Sequence, residues 1–160
     1  MRITFLVFWY AILFSIFAAS SKSAEAPPLI PKQFSAAIGG FLGGSYRVEL
    51  LNGSLTYTAF DDGKPQPLKI TPTAAQWREF RQTLDTLKIW QWRDTYRSGG
   101  VVDGTQWSLD IAYTDHTLKS HGDNNYPDAT GTPNGNAQPT EAFKSYLAAI
   151  KKLLGGKDFQ

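Results

Sequence analysis

Alternating apolar and polar residues predict a first β-hairpin in residues 46–60. The alternation runs up to Asn52-Gly53 and resumes behind this pair. An Asn-Gly pair between two such runs is typical of a two-residue type I′ turn, because both residues tolerate a positive φ angle. The pattern therefore predicts two antiparallel strands that each place one face on a core.

A helix is predicted to begin at Thr71-Pro72, because threonine caps helix N-termini and proline is accepted in the first turn. Apolar residues then recur at spacings of three and four and share one face: Trp77, Phe80, Leu84 and Leu87. Three aromatic residues follow this helix: Trp90, Trp92 and Tyr96. We interpret them as core residues, with a sugar-stacking platform as the alternative.

A second strand pair and a second helix complete the pattern. Residues 106–113 alternate cleanly, residues 114–116 turn the chain, and residues 117–120 return as the partner strand. Thr140 or its neighbours cap a last amphipathic helix, which ends at Gly155-Gly156. The order ββα–ββα predicts an α+β fold, in which a four-stranded antiparallel sheet has two helices packed on one face.

The N-terminal residues predict export. Arg2 is followed by an apolar run over residues 3–19 and then by small residues, the three parts of a signal peptide, which we place at residues 1–24. About 17 apolar residues is also the lower limit for spanning a bilayer, so an uncleaved anchor is the alternative. Residues 25–45, rich in proline and glycine, are predicted to be a linker or flexible arm, and residues 46–156 a single domain.

Composition narrows the classes of function. The 160 residues include 42% apolar residues, enough for one core. The absence of cysteine excludes disulfides, thiolate metal sites and cysteine nucleophiles. A net charge of +2 from scattered basic residues argues against a nucleic-acid partner. We expect a periplasmic or secreted protein that contacts membrane only through its N-terminal segment, if that segment is not cleaved.

The loop over residues 121–138 is the predicted ligand-binding region, because a loop this long inside a compact domain is often functional. Its first part is dense in side chains that hydrogen-bond sugars, peptides or cations. Asp103 belongs to the Asp103-Gly104 turn before the strand of residues 106–113, at a strand end that adjoins the loop. The predicted binding residues are Asp103, His121, Asp123, Asn124, Asn125 and Tyr126. The remainder, residues 130–138, is predicted to be a flexible linker.

Metal and catalytic motifs are missing from the sequence. His116 and His121 lack a third zinc ligand at a recognisable spacing, and the acids near residue 123 lack the spacing of a calcium loop. No nucleophile elbow, zinc-protease helix or phosphate loop is present. We therefore expect no cofactor and predict a non-enzymatic module that binds a protein or glycan of the cell envelope. The alternative is an envelope hydrolase of glycans or peptides, with Asp103, Asp110 or His121 as acid or base.

Two motifs resemble an uncharacterised family of exported bacterial domains. The first is the strand pattern DG-x-QW-x-L-x-I, which begins at Asp103, and the second is the glycine–asparagine loop that ends in Tyr126-Pro127. The resemblance covers residues 46–154. It implies the fold and the exported location, and it assigns no activity and no site residue.

Overall fold

The computed structural model describes residues 28–40, 44–60, 65, 67–98 and 104–160, which form one mixed sheet and two α-helices. The strands are β1 (Gln33–Gly39), β2 (Ser45–Leu51), β3 (Ser54–Phe60), β4 (Leu68–Ile70), β5 (Thr95–Arg97), β6 (Gln106–Ala112) and β7 (Thr117–Asp123). The helices are α1 (Ala74–Thr86) and α2 (Glu141–Leu153), and a short 3₁₀ helix spans Ile89–Gln91.

The sheet among these residues has seven strands in the order β4-β3-β2-β1-β6-β7-β5. All neighbouring strands are antiparallel except β5, which runs parallel to β7. The predicted α+β class with two helices is confirmed, whereas the predicted four-stranded, purely antiparallel sheet is wrong. The difference comes from β1, β4 and β5, none of which has a long alternating pattern.

The central strand β1 lies inside the segment that was predicted to be a linker or flexible arm, so that prediction is wrong for Gln33–Gly39. This strand pairs with β2 on one side and with β6 on the other. Small residues hide its alternation, because serine, alanine and glycine on the outer face read as a loop. The apolar face is buried: Phe34, Ala36 and Ile38. The predicted signal peptide, residues 1–24, lies outside the described residues.

Both predicted hairpins are confirmed. Asn52 and Gly53 have φ angles of 50° and 77°, as a type I′ turn between β2 and β3 requires. The second hairpin joins β6 to β7, whose strand continues to Asp123 and so takes in the first three residues of the predicted loop. This extension decides where His121 points.

The helix ends follow their caps. The N-cap of α1 is Thr73, two residues after the predicted position, and its hydroxyl accepts from the backbone N–H of Gln76 while the Gln76 side chain accepts from Thr73 N–H. Thr140 caps α2 as predicted. Gly155 and Gly156 follow α2 with positive φ angles, again as predicted.

The two helices pack on one face of the sheet. Phe34 of β1 contacts Trp77 and Phe80 of α1, with ring centroids 6.4 and 5.3 Å apart. Trp107 of β6 contacts Phe143 of α2 at 4.8 Å. The core interpretation of the aromatic cluster is confirmed for its two buried members: Trp92 and Tyr96. Within the described ranges, no helix is long and apolar enough to cross a membrane.

Candidate functional site

The sheet face opposite the helices is open. Side chains alternate across a strand, so every core residue of the sheet has neighbours in the chain that point away from the helices. On this open face the strand residues are mostly polar and partly or fully exposed, and the most exposed charged ones are Arg47, Lys69, Arg97 and Lys119. The open face is therefore the accessible surface on which a ligand can lie.

Strand register sets five side chains of this face in a row. Ala37 of β1 is paired with Arg47 of β2 and with Ser108 of β6. Ser108 is paired with His121 of β7, and His121 with Thr95 of β5. Adjacent strands lie about 4.8 Å apart, so the α-carbons of Arg47 and His121 are roughly 14 Å apart. Between them stand only the short side chains of Ala37 and Ser108.

A second row runs beside the first. Gly39 of β1 is paired with Gln106 of β6, Gln106 with Asp123 of β7, and Asp123 with Arg97 of β5. On the far side, the Phe60 ring lies at the end of β3 and is 44% exposed. Long side chains thus stand on both sides of the sheet centre, where Gly39 of β1 has no side chain.

The two rows enclose a groove of about 780 Å³, which we call the open-face groove. Its floor is low where Ala37 and Gly39 of β1 and Ser108 of β6 have short side chains or none, and its sides are longer side chains of β2, β3, β5 and β7. The lining residues are Ala37, Ile38, Gly39, Gly40, Ser45, Tyr46, Arg47, Phe60, Arg97, Gly104, Gln106, Trp107, Ser108, His121, Gly122 and Asp123.

Two of the predicted binding residues line this groove. His121 and Asp123 point to the open face because they are two residues apart on β7, and Gly122 between them points to the core. The Thr95 hydroxyl lies 3.4 Å from Nε2 of His121. Asp103 lies outside the described residues, and its neighbour in the chain, Gly104, lines the groove.

The other three predicted binding residues are buried and turned toward the protein: Asn124, Asn125 and Tyr126. The Asn125 amide donates to the carbonyl of Arg97 at 3.1 Å and accepts from the backbone N–H of Tyr126 at 2.9 Å. Asn124 accepts from the backbone N–H of Thr105. Buried polar groups with such partners stabilise a loop. These three side chains do not line the groove.

The rest of the loop is ordered by its own polar groups, in contrast to the predicted flexible linker. Oδ1 of Asp128 accepts from the backbone N–H groups of Thr130 and Thr132, at 2.7 and 2.9 Å. These contacts hold the pKa of Asp128 below its usual value, the Thr130 hydroxyl first among them. The Asn134 amide donates to the Gln138 carbonyl. Asp128 is thus used inside the loop, as is Asn125.

The charges of the open face are only partly balanced. Arg47 lies 3.6 Å from Glu49, and Lys119 lies 3.6 Å from Asp110. Such exposed pairs contribute little and exchange partners readily. No carboxylate of the described residues lies within 4.0 Å of the Arg97 guanidinium. Arginine side chains on both sides of the groove are thus able to meet a ligand.

Few side chains in the described part of the chain are arranged for acid–base catalysis or for metal binding. Asp110 faces Lys119, and no hydrogen bond joins Ser108 to His121 although the two residues are paired. The described residues therefore hold no nucleophile–base pair at this position. They also contain no group of three or more His, Cys, Asp or Glu side chains arranged to hold a metal ion.

A smaller cavity, of about 350 Å³, lies beside the buried Arg81 of α1. The Arg81 guanidinium donates to both oxygens of Asp115, at 3.0 and 2.7 Å, and its Nε donates to Asp85. These bonds hold the pKa of Asp115 well below its usual range and raise that of Arg81. The guanidinium also lies 4.5 Å from the Tyr113 ring. Its donors are engaged within the protein, so this cluster joins α1 to the β6–β7 turn.

Sequence reasoning missed most of the groove. The alternating pattern places Arg47 and Ser108 on the polar faces of their predicted strands, and no such pattern puts Arg97 on a strand. The alternation of polar residues in β2 and β6 does indicate the open face. Arg47 and Ser108 stand on either side of Ala37 because β1 lies between β2 and β6, and the sequence did not predict β1 as a strand.

Comparisons with known proteins add no relative: no protein-family model matches the chain, and no curated protein matches it. The resemblance to exported bacterial domains stays a prediction that rests on the quoted motifs. The evidence that bears on function is therefore the geometry and the charges of the open-face groove.

Proposed function

We propose that this protein is a small exported, non-enzymatic binding module that holds a glycan or protein of the cell envelope in its open-face groove. The observation that carries the proposal is the contrast between the short floor, at Ala37 and Ser108, and the longer polar sides. Floor residues this small leave the backbone of the sheet approachable. The export of the chain remains the expectation from its N-terminal sequence.

The supporting structure is suited to binding rather than to turnover. The groove lies on strands, which hold their side chains more precisely than loops do. Most of its hydrogen-bonding groups are amides, hydroxyls and guanidinium groups, which orient a polar ligand, and the His121 imidazole and the Asp123 carboxylate line it as well. The hydrolase alternative would need an acid and a base that converge on one bond. Asp110 is 3.6 Å from Lys119, and His121 and Asp123 line the same groove without a hydrogen bond between them, while Asp103 lies outside the described residues.

Filling the groove tests the proposal. Ala37→Trp places an indole on its floor, and Ser35→Trp places the same indole on the same strand and face outside the groove. Strand positions accept tryptophan well, so both variants are expected to fold. Each purified variant is incubated with an isolated cell-wall preparation, and the bound fraction is measured by sedimentation.

We expect Ala37→Trp to reduce retention on the cell wall at least about tenfold, since a filled groove excludes the ligand. Ser35→Trp should retain wild-type binding. Thermal unfolding shows that both variants are folded. Equal retention of the two variants would show that the groove is not the binding site. Turnover of the cell-wall material would favour the hydrolase alternative over the binding module.

A further inference from the structure

We infer that the ligand of the open-face groove is an acidic glycan, a sugar chain that carries carboxylates. This inference rests on the proposed function and names the chemical class of its ligand. Arg47 stands on one side of the groove, and Arg97 on the other. A guanidinium group binds a carboxylate through two parallel hydrogen bonds, so each arginine can hold one acidic sugar.

The distance between the two arginines fits a chain rather than a single small ion. Arg47 is on β2 and Arg97 on β5, four strands away in the sheet order. At about 4.8 Å per strand their α-carbons are roughly 19 Å apart, and both side chains can lean inward over the floor. Two carboxylates some sugars apart on one chain would meet both arginines, with the chain lying across the strands.

The groups between the arginines match the rest of a sugar chain. Ser45, Gln106 and Ser108 line the groove with hydroxyl and amide groups, which hydrogen-bond sugar hydroxyls in either direction. Phe60 is exposed at the side and offers a flat apolar surface on which a sugar ring can stack. An extended peptide would use a free strand edge instead, and the floor of the groove lies on β1 and β6, which are both paired on two sides.

The remaining charged groups limit the charge density of the ligand. His121 adds a further donor, whereas Asp123 brings one negative charge into the same groove. A polymer with densely spaced phosphates would be repelled by Asp123, while a chain with separate, singly charged carboxylates can keep away from it. The charge pattern therefore favours an acidic glycan over a nucleic acid or polyphosphate.

The test measures binding of the purified protein to a hyaluronan pentamer, in which carboxylates stand on alternate sugars, by calorimetry. Cellopentaose, a neutral chain of five sugars, and polyphosphate are the comparison ligands. Arg47→Gln and Arg97→Gln are the variants, and Lys119→Gln is the control, because Lys119 is an exposed cation of the same face outside the groove. Circular dichroism confirms the fold of each variant.

We expect the acidic pentamer to bind at least about tenfold more tightly than cellopentaose, and each arginine variant to lose about tenfold in affinity. Lys119→Gln should bind as the wild type does. Raising the salt from about 50 mM to about 500 mM should weaken binding, as expected for charges near a surface.

Three results would overturn the inference. Equal affinity for the neutral and the acidic pentamer would show that charge is not recognised. Tighter binding of polyphosphate would show that charge alone is recognised, and no binding of the pentamer would exclude this ligand class. In each case the Ala37→Trp and Ser35→Trp pair still reports separately on whether the groove binds the cell wall, so a wrong ligand class is distinguishable from a wrong site.

Discussion

Nε1 of Trp107 donates a hydrogen bond to the backbone carbonyl of Asn125 at 3.0 Å, and this contact draws the loop after β7 against the core. The indole lies over Gly122, the residue paired with Trp107 across the two strands. The absence of a side chain at Gly122 thus gives the indole its place. The hydrogen bond between Trp107 and the Asn125 carbonyl therefore depends on the missing side chain of Gly122.

Gly122→Ala should therefore destabilise the protein. An added Cβ atom would stand 2.1 Å from Nε1 of Trp107 and 2.7 Å from the Asn125 carbonyl, so the indole or the loop must shift. We expect the free energy of unfolding to fall by about 1–3 kcal/mol, the usual range for overpacking. Urea unfolding followed by tryptophan fluorescence measures this. Lys119→Ala, exposed on the same strand, is the control and should change the free energy by less than about 0.5 kcal/mol.

Arg81→Lys should weaken the connection between α1 and the β6–β7 turn. Lysine keeps the charge but cannot form the two parallel hydrogen bonds to Asp115 or stack in the same way on the aromatic rings. We expect a loss of about 1–3 kcal/mol in the free energy of unfolding. Arg78→Lys, at an exposed position of the same helix, is the matched control. Equal unfolding midpoints in urea for the two variants would contradict a stabilising role of the cluster.

The stability of the protein should fall on acidification, partly through Asp115. Its pKa is lower in the folded protein than the ordinary value of 3.8, because Arg81 donates hydrogen bonds to it. A lowered pKa adds stability above the unfolded pKa, and that stability is lost as the pH falls toward the folded pKa. Asp115→Asn should therefore flatten the dependence of unfolding free energy on pH below about pH 4. Some slope remains, because the pKa of Asp128 is also lowered.

The measurement is urea unfolding at a series of pH values from about 2 to about 7. Asp115→Asn is also expected to be less stable near neutral pH, since it gives up the charge-assisted bonds. A slope identical to that of the wild type would show that Asp115 titrates alike in the folded and unfolded states.

The elements that were predictable from sequence are those with a local signal. The Asn52-Gly53 turn and the alternation on both sides of it define β2 and β3, and a threonine cap with an apolar stripe defines α2. By contrast, β1 consists largely of small residues, which make its alternation hard to recognise. The three-residue strand β5 is held by its pairing with β7. No local sequence pattern indicates such a pairing, so the sequence predicts fewer strands than the sheet contains.

The candidate site was half predictable for a related reason. Polar residues in a loop read as solvent-exposed, and His121 indeed is. Asn125 and Tyr126 are buried because Trp107 and Phe143 pack against this part of the loop, at 3.0 Å from the Asn125 carbonyl and 4.8 Å between the Tyr126 and Phe143 rings. These contacts join residues far apart in the chain, and the polar composition of the loop does not reveal them.

Thr140→Ala should destabilise the protein more than Thr73→Ala. The Thr140 hydroxyl accepts from the backbone N–H of Phe143, as a helix cap does, and also donates to the Pro127 carbonyl of the loop. Losing a cap costs about 1 kcal/mol, and the freed carbonyl adds about 1 kcal/mol more. Thr140→Ser keeps the hydroxyl and should restore most of the stability. The Thr73 hydroxyl also donates, to the exposed Gln76 side chain, whose oxygen water can reach. Thermal unfolding of the three variants provides the comparison, and equal losses for both alanine variants would show that the bond to the Pro127 carbonyl adds no stability.

Two residues of the predicted binding site, His121 and Asn125, distinguish whether the ligand binds in the groove or on the loop. His121 is exposed on the open face, so His121→Ala should leave the free energy of unfolding within about 0.5 kcal/mol and reduce retention on the cell wall. In Asn125→Ala the Arg97 carbonyl loses its bond from the Asn125 amide, and the Tyr126 N–H keeps only the longer bond to Asn134 at 3.4 Å. This loss should cost about 1–3 kcal/mol. Urea unfolding and cell-wall sedimentation on both variants decide the matter. If Asn125→Ala were as stable as the wild type but failed to bind, the loop rather than the groove would hold the ligand.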